Sequence, residues 1–325
     1  MQKSLLKDFS FLISLAICSC AAVFLTNPTL YMKSIENGLV TWTTSVVPSL
    51  FPFFVMSKLL VELNFFSKFN KITSPLTKKL FKASAVSGYI FMISVASGYP
   101  VGAKTIEEYY KKGFLTQTQC KKAAVFTSTA GPVFLLGTVG GKFFGSTDFG
   151  MWLLICNVLS AIICGILFRS FFRDESEAEV AAQLTDKDKN VLNEVIYSSV
   201  IGILNVGAFI CLFFLLTDMI FSTPFVQSIL SIITPSASEE AKAFLTGIFE
   251  VTRGCKMISQ TSLPLGTSFI LCSALVSFSG LCICLQSFSY LKNCKIRFSF
   301  LIFVKLVQAA VATLIAAAIC CFVKF

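Results

Sequence analysis

The chain contains no histidine, and its thirteen cysteines include no Cys-x-x-Cys pair. Those absences remove the usual zinc and haem frameworks and the His-based catalytic triads. No P-loop occurs, which argues against direct ATP coupling within the chain. Charge is also scarce: Asp, Glu, Lys and Arg make up 14% of the 325 residues, against 55% hydrophobic residues and a mean hydropathy of +0.79. Such a chain is solvated largely by lipid, as a polytopic membrane protein is. No cofactor, resident metal or enzymatic activity is expected, because no nucleophile-base or metal-ligand constellation is present.

What is present is apolar sequence. Runs long enough to cross a bilayer extend from Phe9 to Leu25, Phe149 to Phe168, Val195 to Phe221, Leu265 to Leu285 and Phe298 to Val323, each close to the ~20 residues a span requires. The first follows Lys3 and Lys7 without a small-x-small cleavage site, so it reads as an uncleaved span rather than a signal peptide. The stretches around Val46 to Leu63, Ala83 to Gly98 and Phe126 to Gly140 are interrupted by Gly and Pro, and read as half-helices, re-entrant hairpins or kinked spans. Ten cysteines lie inside apolar runs, where they serve as small hydrophobes. The formal net charge of +10 would suggest a nucleic-acid partner in a soluble protein. Here the lysines flank apolar runs, so a positive-inside bias accounts for them and no nucleic acid is expected.

The most informative string is Ser97-Gly98-Tyr99-Pro100-Val101-Gly102-Ala103-Lys104, where an apolar helix breaks and ends in a charge. A fainter echo, Gly254-Cys255-Lys256-Met257-Ile258, stands in the second half. Behind each lysine, at nearly equal spacing, comes a small-residue box: Ser128-Thr129-Ala130-Gly131, then Ser277-Phe278-Ser279-Gly280. The polar stretch from Arg169 to Asn190 separates the halves. Lysines crowd upstream of the first box (Lys58, Lys68, Lys71, Lys78, Lys79, Lys82), whereas Thr217 to Ala241 has no Lys or Arg. Downstream the bias reverses, with Lys142 alone against Lys292, Lys295 and Arg297. Equivalent loops on opposite sides predict inverted-topology repeats. The expected organisation is an N-terminal transmembrane helix (1–30), a first repeat (31–171), a polar linker (172–190) and a second repeat (191–325), in an all-α polytopic fold with broken or re-entrant helices.

Broken helices at matching points of two halves point to a midplane binding site. A half-helix starting near Val101 would turn amide N–H groups toward a cavity, with Lys104 in its first turn favouring an anion. The competing reading makes this segment an extramembrane loop in which Lys104 pairs with Glu108. Glu107 with Lys111 and Glu108 with Lys112 are i,i+4 pairs, and Gly113 is placed to end that helix. The hydroxyls of Thr127-Ser128-Thr129 either meet a polar substrate or bond back to their own helix. Glu250 and Arg253 either serve the site or neutralise each other, leaving Lys256 unpaired in the position matching Lys104. Lys305, near the start of the last span, is expected to snorkel to the interface. Pro48-Ser49-Leu50-Phe51-Pro52-Phe53 either lines a cavity or turns a re-entrant hairpin. The candidate substrate-binding residues are therefore Ser97, Gly98, Tyr99, Pro100, Gly102, Lys104, Ser128, Thr129, Gly131, Pro132, Gly247, Glu250, Arg253, Lys256, Ser277 and Gly280. The sharpest expectation is that Lys104 and Lys256 approach one anion from two pseudo-symmetric half-sites.

Several strings together resemble the bacterial sporulation integral membrane protein YlbJ (SpoVV) family, within the wider nucleoside-recognition or Gate-domain group. They are Val47-Pro48-Ser49-Leu50-Phe51-Pro52-Phe53, Ser97 to Lys104, Ala130-Gly131-Pro132-Val133-Phe134 with Gly137-Thr138-Val139-Gly140, and Leu245-Thr246-Gly247-Ile248-Phe249-Glu250-Val251-Thr252. The resemblance implies a transporter-like protein of endospore formers that moves dipicolinic acid, a planar aromatic dianion at neutral pH, across the outer forespore membrane. It also implies that Lys104, Lys256 and Arg253 suit the two carboxylates. Gate-domain relatives are linked to nucleosides and metal-ion transport, so a nucleoside or other small-metabolite transporter and a non-transporting sporulation scaffold are the alternatives. The lipid bilayer is the expected environment, and assembly into a homo-oligomer is left open.

Overall fold

The computed structural model describes residues 14–15, 17–63, 65, 74–75, 77–172, 191–233 and 238–323. Among these the fold is helical throughout, and five helical segments are long and apolar enough to cross a membrane. The chain is an all-α polytopic membrane protein. Residues 9–13 and 16 of the expected first span, Lys68, Lys71 and residues 173–190 of the expected linker lie outside the described residues.

Helix α1 (Ile17–Thr26) ends at Asn27, whose side chain accepts the Leu30 N–H and caps α2 (Pro28–Thr41). Pro28 stands at the first helical position, where its missing N–H leaves nothing unpaired. A π-helical turn, Trp42–Val46, joins α2 to α3 (Val47–Glu62), and together they make one path of 35 residues. Pro48 and Pro52 thus turn no re-entrant hairpin: the first lies in the opening turn of α3 and the second inside it. Of the readings open for Val46 to Leu63, the structure shows a continuous span that carries a π-turn and prolines, the features that bend helices.

There follow α4 (Ala85–Ser97), α5 (Val101–Lys111), α6 (Gln117–Phe126), the π-helical α7 (Val133–Phe143) and the 22-residue α8 (Thr147–Phe168). The second half comprises α9 (Val191–Ser222), α10 (Pro224–Ile233), α11 (Ser238–Phe249), α12 (Val251–Ile258), α13 (Leu265–Phe278), α14 (Gly280–Leu291) and α15 (Phe298–Phe322). Each half contains one long helix, two interrupted helices and a closing long helix, and the second half has α10 in addition. Leu265 to Leu285, expected as a single span, is broken at Ser279 and Gly280, whose φ angles of 70° and 72° are left-handed.

Corresponding long helices pack antiparallel. Along α2–α3 and α9, the Tyr31 hydroxyl meets Ser222 at 2.9 Å, Ser34 donates to Asp218 at 2.5 Å and Trp42 Nε1 donates to the Ile203 carbonyl at 3.1 Å. Farther along, Phe54 packs on Gly202. Between α8 and α15, Phe168 lies 6.0 Å from Phe303, while Leu153 and Cys156 share a core with Ala316.

The interruptions meet in pairs. Gly98 has φ 85°, and a Cβ there would strike the backbone of Gly131, so the α4–α5 break rests on the α6–α7 break. A Cβ on Gly280 would fall 3.2 Å from both the Gly247 carbonyl and the Val251 amide, so the α13–α14 break rests on the α11–α12 break. Only residues without a side chain allow such backbone approach at positive φ. Basic residues gather at one end, where Lys112 pairs with Glu62 at 3.1 Å and Asn293 donates to Glu107 at 2.5 Å. The opposite end holds Lys33 paired with Glu36, and Arg253 paired with Asp218.

Candidate functional site

Three of the four breaks, α4–α5, α6–α7 and α11–α12, together with the start of α3, the middle of α9 and one face of α14, line one tight cavity of about 40 Å³. Its polar lining is Ser49, Tyr99, Glu250, Thr252 and Gln286, set among Val46, Leu50, Phe134, Val206, Ile210, Val251 and Ile283, with Gly131 supplying backbone. Tyr99 occupies the turn between α4 and α5, joined to Pro100 by a cis peptide. Glu250 is extended (φ −138°, ψ 110°) between α11 and α12, and only 1% exposed. Its carboxylate accepts the backbone N–H groups of Thr252 (3.1 Å) and Arg253 (2.7 Å), so the N-terminus of α12 is capped by the chain's own anion. Gln286, on α14, is 1% exposed, and its Nε2 donates to Cys282 Sγ at 3.2 Å. Among the described residues, Tyr99 Oη and Gln286 Oε1 are buried without a hydrogen-bond partner.

Two buried polar side chains brace this crossing from the closing helices of opposite halves. Asn157 on α8 accepts the Ala130 N–H at 2.8 Å and donates to the Ser277 hydroxyl at 3.1 Å, joining the second break of each half. Lys305 on α15 donates to the Ser128 carbonyl at 2.9 Å and to Gln308 Oε1 at 2.8 Å. It is 1% exposed, so the expected snorkelling does not occur: its Nζ is held by a carbonyl released where α6 unwinds. Unwound backbone at membrane depth must be satisfied by protein, and this lysine does so.

A wider cavity of about 600 Å³ opens toward the Lys33 end. It shares Thr252 with the central cavity and is lined by Asn37, Thr41, Thr44 and Ser45 opposite Lys142, Arg253, Lys256 and Gln260. Three cations and, among the described residues, no carboxylate line it. The Arg253 guanidinium donates to Asp218 at 2.5 Å and to the Phe214 carbonyl at 3.3 Å, and lies 5.0 Å from the Phe214 ring. Arg253 and Glu250 therefore do not neutralise each other side chain to side chain. Among the described residues Lys142 and Lys256 form no ion pair.

Tyr99, Gly131 and Glu250 thus line the central cavity, and Arg253 and Lys256 the wider one. Lys104 lines neither. Its Nζ donates to the Ser198 carbonyl at 3.1 Å and lies 5.0 Å from the Phe54 ring. Ser198 and Phe214, the contacts of Lys104 and Arg253 on α9, are separated by about 24 Å at 1.5 Å per residue. Lys104 and Lys256 consequently do not close on one anion; they flank the central cavity toward opposite ends. Nor does Lys104 pair with Glu108, which bonds Lys58 at 3.3 Å, while Lys112 takes Glu62 instead of Glu108. The Lys111–Glu107 pair does form, at 2.6 Å, and Gly113 follows the helix end with φ 77°.

The remaining candidates hold the crossing together. The Thr129 hydroxyl meets Ser94, which also donates to the Thr127 carbonyl, and Gly102 packs on that same carbonyl. Gly247 receives Gly254 and the Leu275 side chain, and Ser277 binds Asn157. Ser97, Gly98, Pro100, Ser128, Pro132 and Gly280 belong to the breaks themselves and line neither cavity. Sequence reasoning missed Gln286, Asn157 and Asp218, each a lone polar residue inside an apolar helix, the one signal that could have found them.

The chain is 27% identical over 286 aligned residues to the sporulation integral membrane protein YlbJ of Bacillus subtilis (strain 168), covering 80% of this chain and 70% of that protein. No family model matches the chain. No solved structure matches it either.

Proposed function

We propose that this chain, which belongs to the YlbJ family of sporulation integral membrane proteins, carries a small organic anion across its membrane by alternating access. Dipicolinate crossing the outer forespore membrane is the favoured cargo. The observation that carries the reading is a central cavity lined at three helix breaks, sharing its Thr252 wall with a vestibule lined by Lys142, Arg253 and Lys256 and, among the described residues, by no carboxylate. Unwound backbone is tolerated at membrane depth where it lines a cavity, and crossed broken helices are the usual setting of a carrier's site.

The recurrence of element order and the antiparallel packing of α2–α3 on α9 and of α8 on α15 support two inverted repeats. In such an arrangement Lys256 and Lys104 are equivalent residues on the two approaches to one centre. An aromatic dianion entering from the vestibule would meet Lys142, Arg253 and Lys256 first. On the other side, Lys104 stands over Phe54. The cations attract and orient; the gap between the approaches is closed by the break residues around Tyr99 and Glu250.

Charge reversal tests this reading. With purified protein in liposomes, Lys142→Glu combined with Lys256→Glu should lower the uptake of radiolabelled dipicolinate by about tenfold or more, the effect of about 1.4 kcal/mol of lost attraction, while uncharged nucleoside uptake stays absent. Unchanged dipicolinate uptake, or nucleoside transport by the unaltered protein, would favour the small-metabolite alternative.

A further inference from the structure

The central cavity and the vestibule have opposite chemistry. The vestibule offers three cations, whereas the polar groups lining the centre offer a carboxylate, an amide oxygen and hydroxyls. Glu250 stands there 1% exposed. Both its carboxylate oxygens accept backbone N–H groups, which leaves each with further acceptor capacity. Among the described residues no cationic side chain pairs with it, since the nearby guanidinium of Arg253 turns away to Asp218 and the Phe214 carbonyl. An ionised carboxylate buried at that depth calls for a countercharge. Gln286 and Tyr99 line the same cavity, and Gln286 Oε1 and Tyr99 Oη are both buried and both without a protein partner among the described residues. The Gln286 amide is held by Nε2 on Cys282 Sγ, which leaves its oxygen as the free end.

The first half answers the same need differently. Where α6 unwinds, the exposed Ser128 carbonyl and Gln308 Oε1 are met by the ammonium of Lys305. A fixed cation occupies that crossing. The Glu250 crossing has no such residue, although it carries the greater negative charge.

We infer that Glu250, Gln286 and Tyr99 form a binding site for a small alkali cation, sodium in class, at the centre of the molecule. Oxygen ligands suit a hard cation, and about 40 Å³ accommodates a cation with one or two waters but not an aromatic dicarboxylate. The inference rests on the carrier reading and deepens it: bound cation cancels the Glu250 charge that would otherwise repel an anion arriving from the vestibule, so cation and anion enter together.

Equilibrium binding tests the site independently of transport. Detergent-solubilised full-length protein is titrated with sodium chloride against equimolar N-methyl-D-glucamine chloride while thermal unfolding is followed. Sodium should raise the unfolding temperature saturably and the organic cation should not. Gln286→Ala should weaken the apparent sodium affinity by about tenfold or more, and Tyr99→Phe should also weaken it. Glu250→Gln should abolish the effect; because Glu250 also caps α12, the other two variants keep the test decisive if that one misfolds. Equal stabilisation by both salts, a response to pH that ignores sodium, or full retention of the sodium response in Gln286→Ala overturns the inference. Dipicolinate uptake in liposomes that proceeds without sodium, together with absent binding, would remove the cation site and leave the carrier standing. Sodium binding without any anion uptake would do the reverse.

Discussion

Lys305 shows how a residue's meaning depends on where its terminal atom goes. On sequence, a lysine near the start of an apolar helix reads as snorkelling; in the structure its ammonium is buried against Ser128 and Gln308. Helical position was legible, but the partner was not, because Ser128 lies far away in sequence and nothing local encodes the crossing. The same limit hid Asp218, which takes the Arg253 guanidinium that sequence reasoning had weighed against Glu250. Asn157 is the most exacting case, since it serves an N–H of one half and a hydroxyl of the other. Asn157→Leu keeps the branching of the side chain, adds bulk, and strips both partners in a fully buried setting. At about 1–3 kcal/mol for each polar group left unsatisfied, denaturant unfolding should register a loss of that order, and Asn157→Asp should not restore the donor to Ser277. A Leu variant as stable as the parent would mean the two breaks do not depend on this brace.

At the scale of elements, the interruptions were the most readable feature, and they were readable because glycine and proline punctuate the chain locally. Ser97 to Lys104 does break as expected, and so does the Gly131-Pro132 box. Ser279 escaped as a break because a serine in the left-handed region carries no sequence mark; only the small-residue box around it gave a hint. The stretch after Val46 decided between its two readings: a π-turn and a proline at the start of α3 let the helix continue without a hairpin, and Ser49 and Leu50 line the central cavity. Gly98 and Gly113 separate two costs that sequence alone confounds. Both have positive φ, at 85° and 77°, but a Cβ on Gly113 meets nothing, whereas on Gly98 it strikes Gly131. Gly113→Ala should therefore cost only the left-handed strain of about 1–2 kcal/mol, and Gly98→Ala distinctly more, as read from the unfolding temperatures of the two purified variants. Equal shifts would show that the two breaks of the first half can move apart freely.

Across the whole molecule, repetition explains more than any single motif. Order of boxes and reversal of lysine bias were visible in sequence, and the recurring succession of helices with antiparallel long pairs gives them a structural counterpart. The expected convergence of Lys104 and Lys256 failed because the two lie toward opposite ends of α9, Lys104 on the Ser198 carbonyl and Lys256 in the vestibule beside Arg253, which contacts Phe214. The centre itself is left to a carboxyl group and two oxygens without a partner among the described residues. An anion carrier with such a centre must open it on each side in turn. Liposomes containing the purified protein and loaded with unlabelled dipicolinate test this most directly, through uptake of radiolabelled dipicolinate at trace concentration. Saturable uptake that accelerates with internal substrate, and is lost in Lys142→Glu combined with Lys256→Glu, is the predicted result. No saturable uptake under any imposed ion gradient, with the protein shown to be folded in the liposomes, would contradict it.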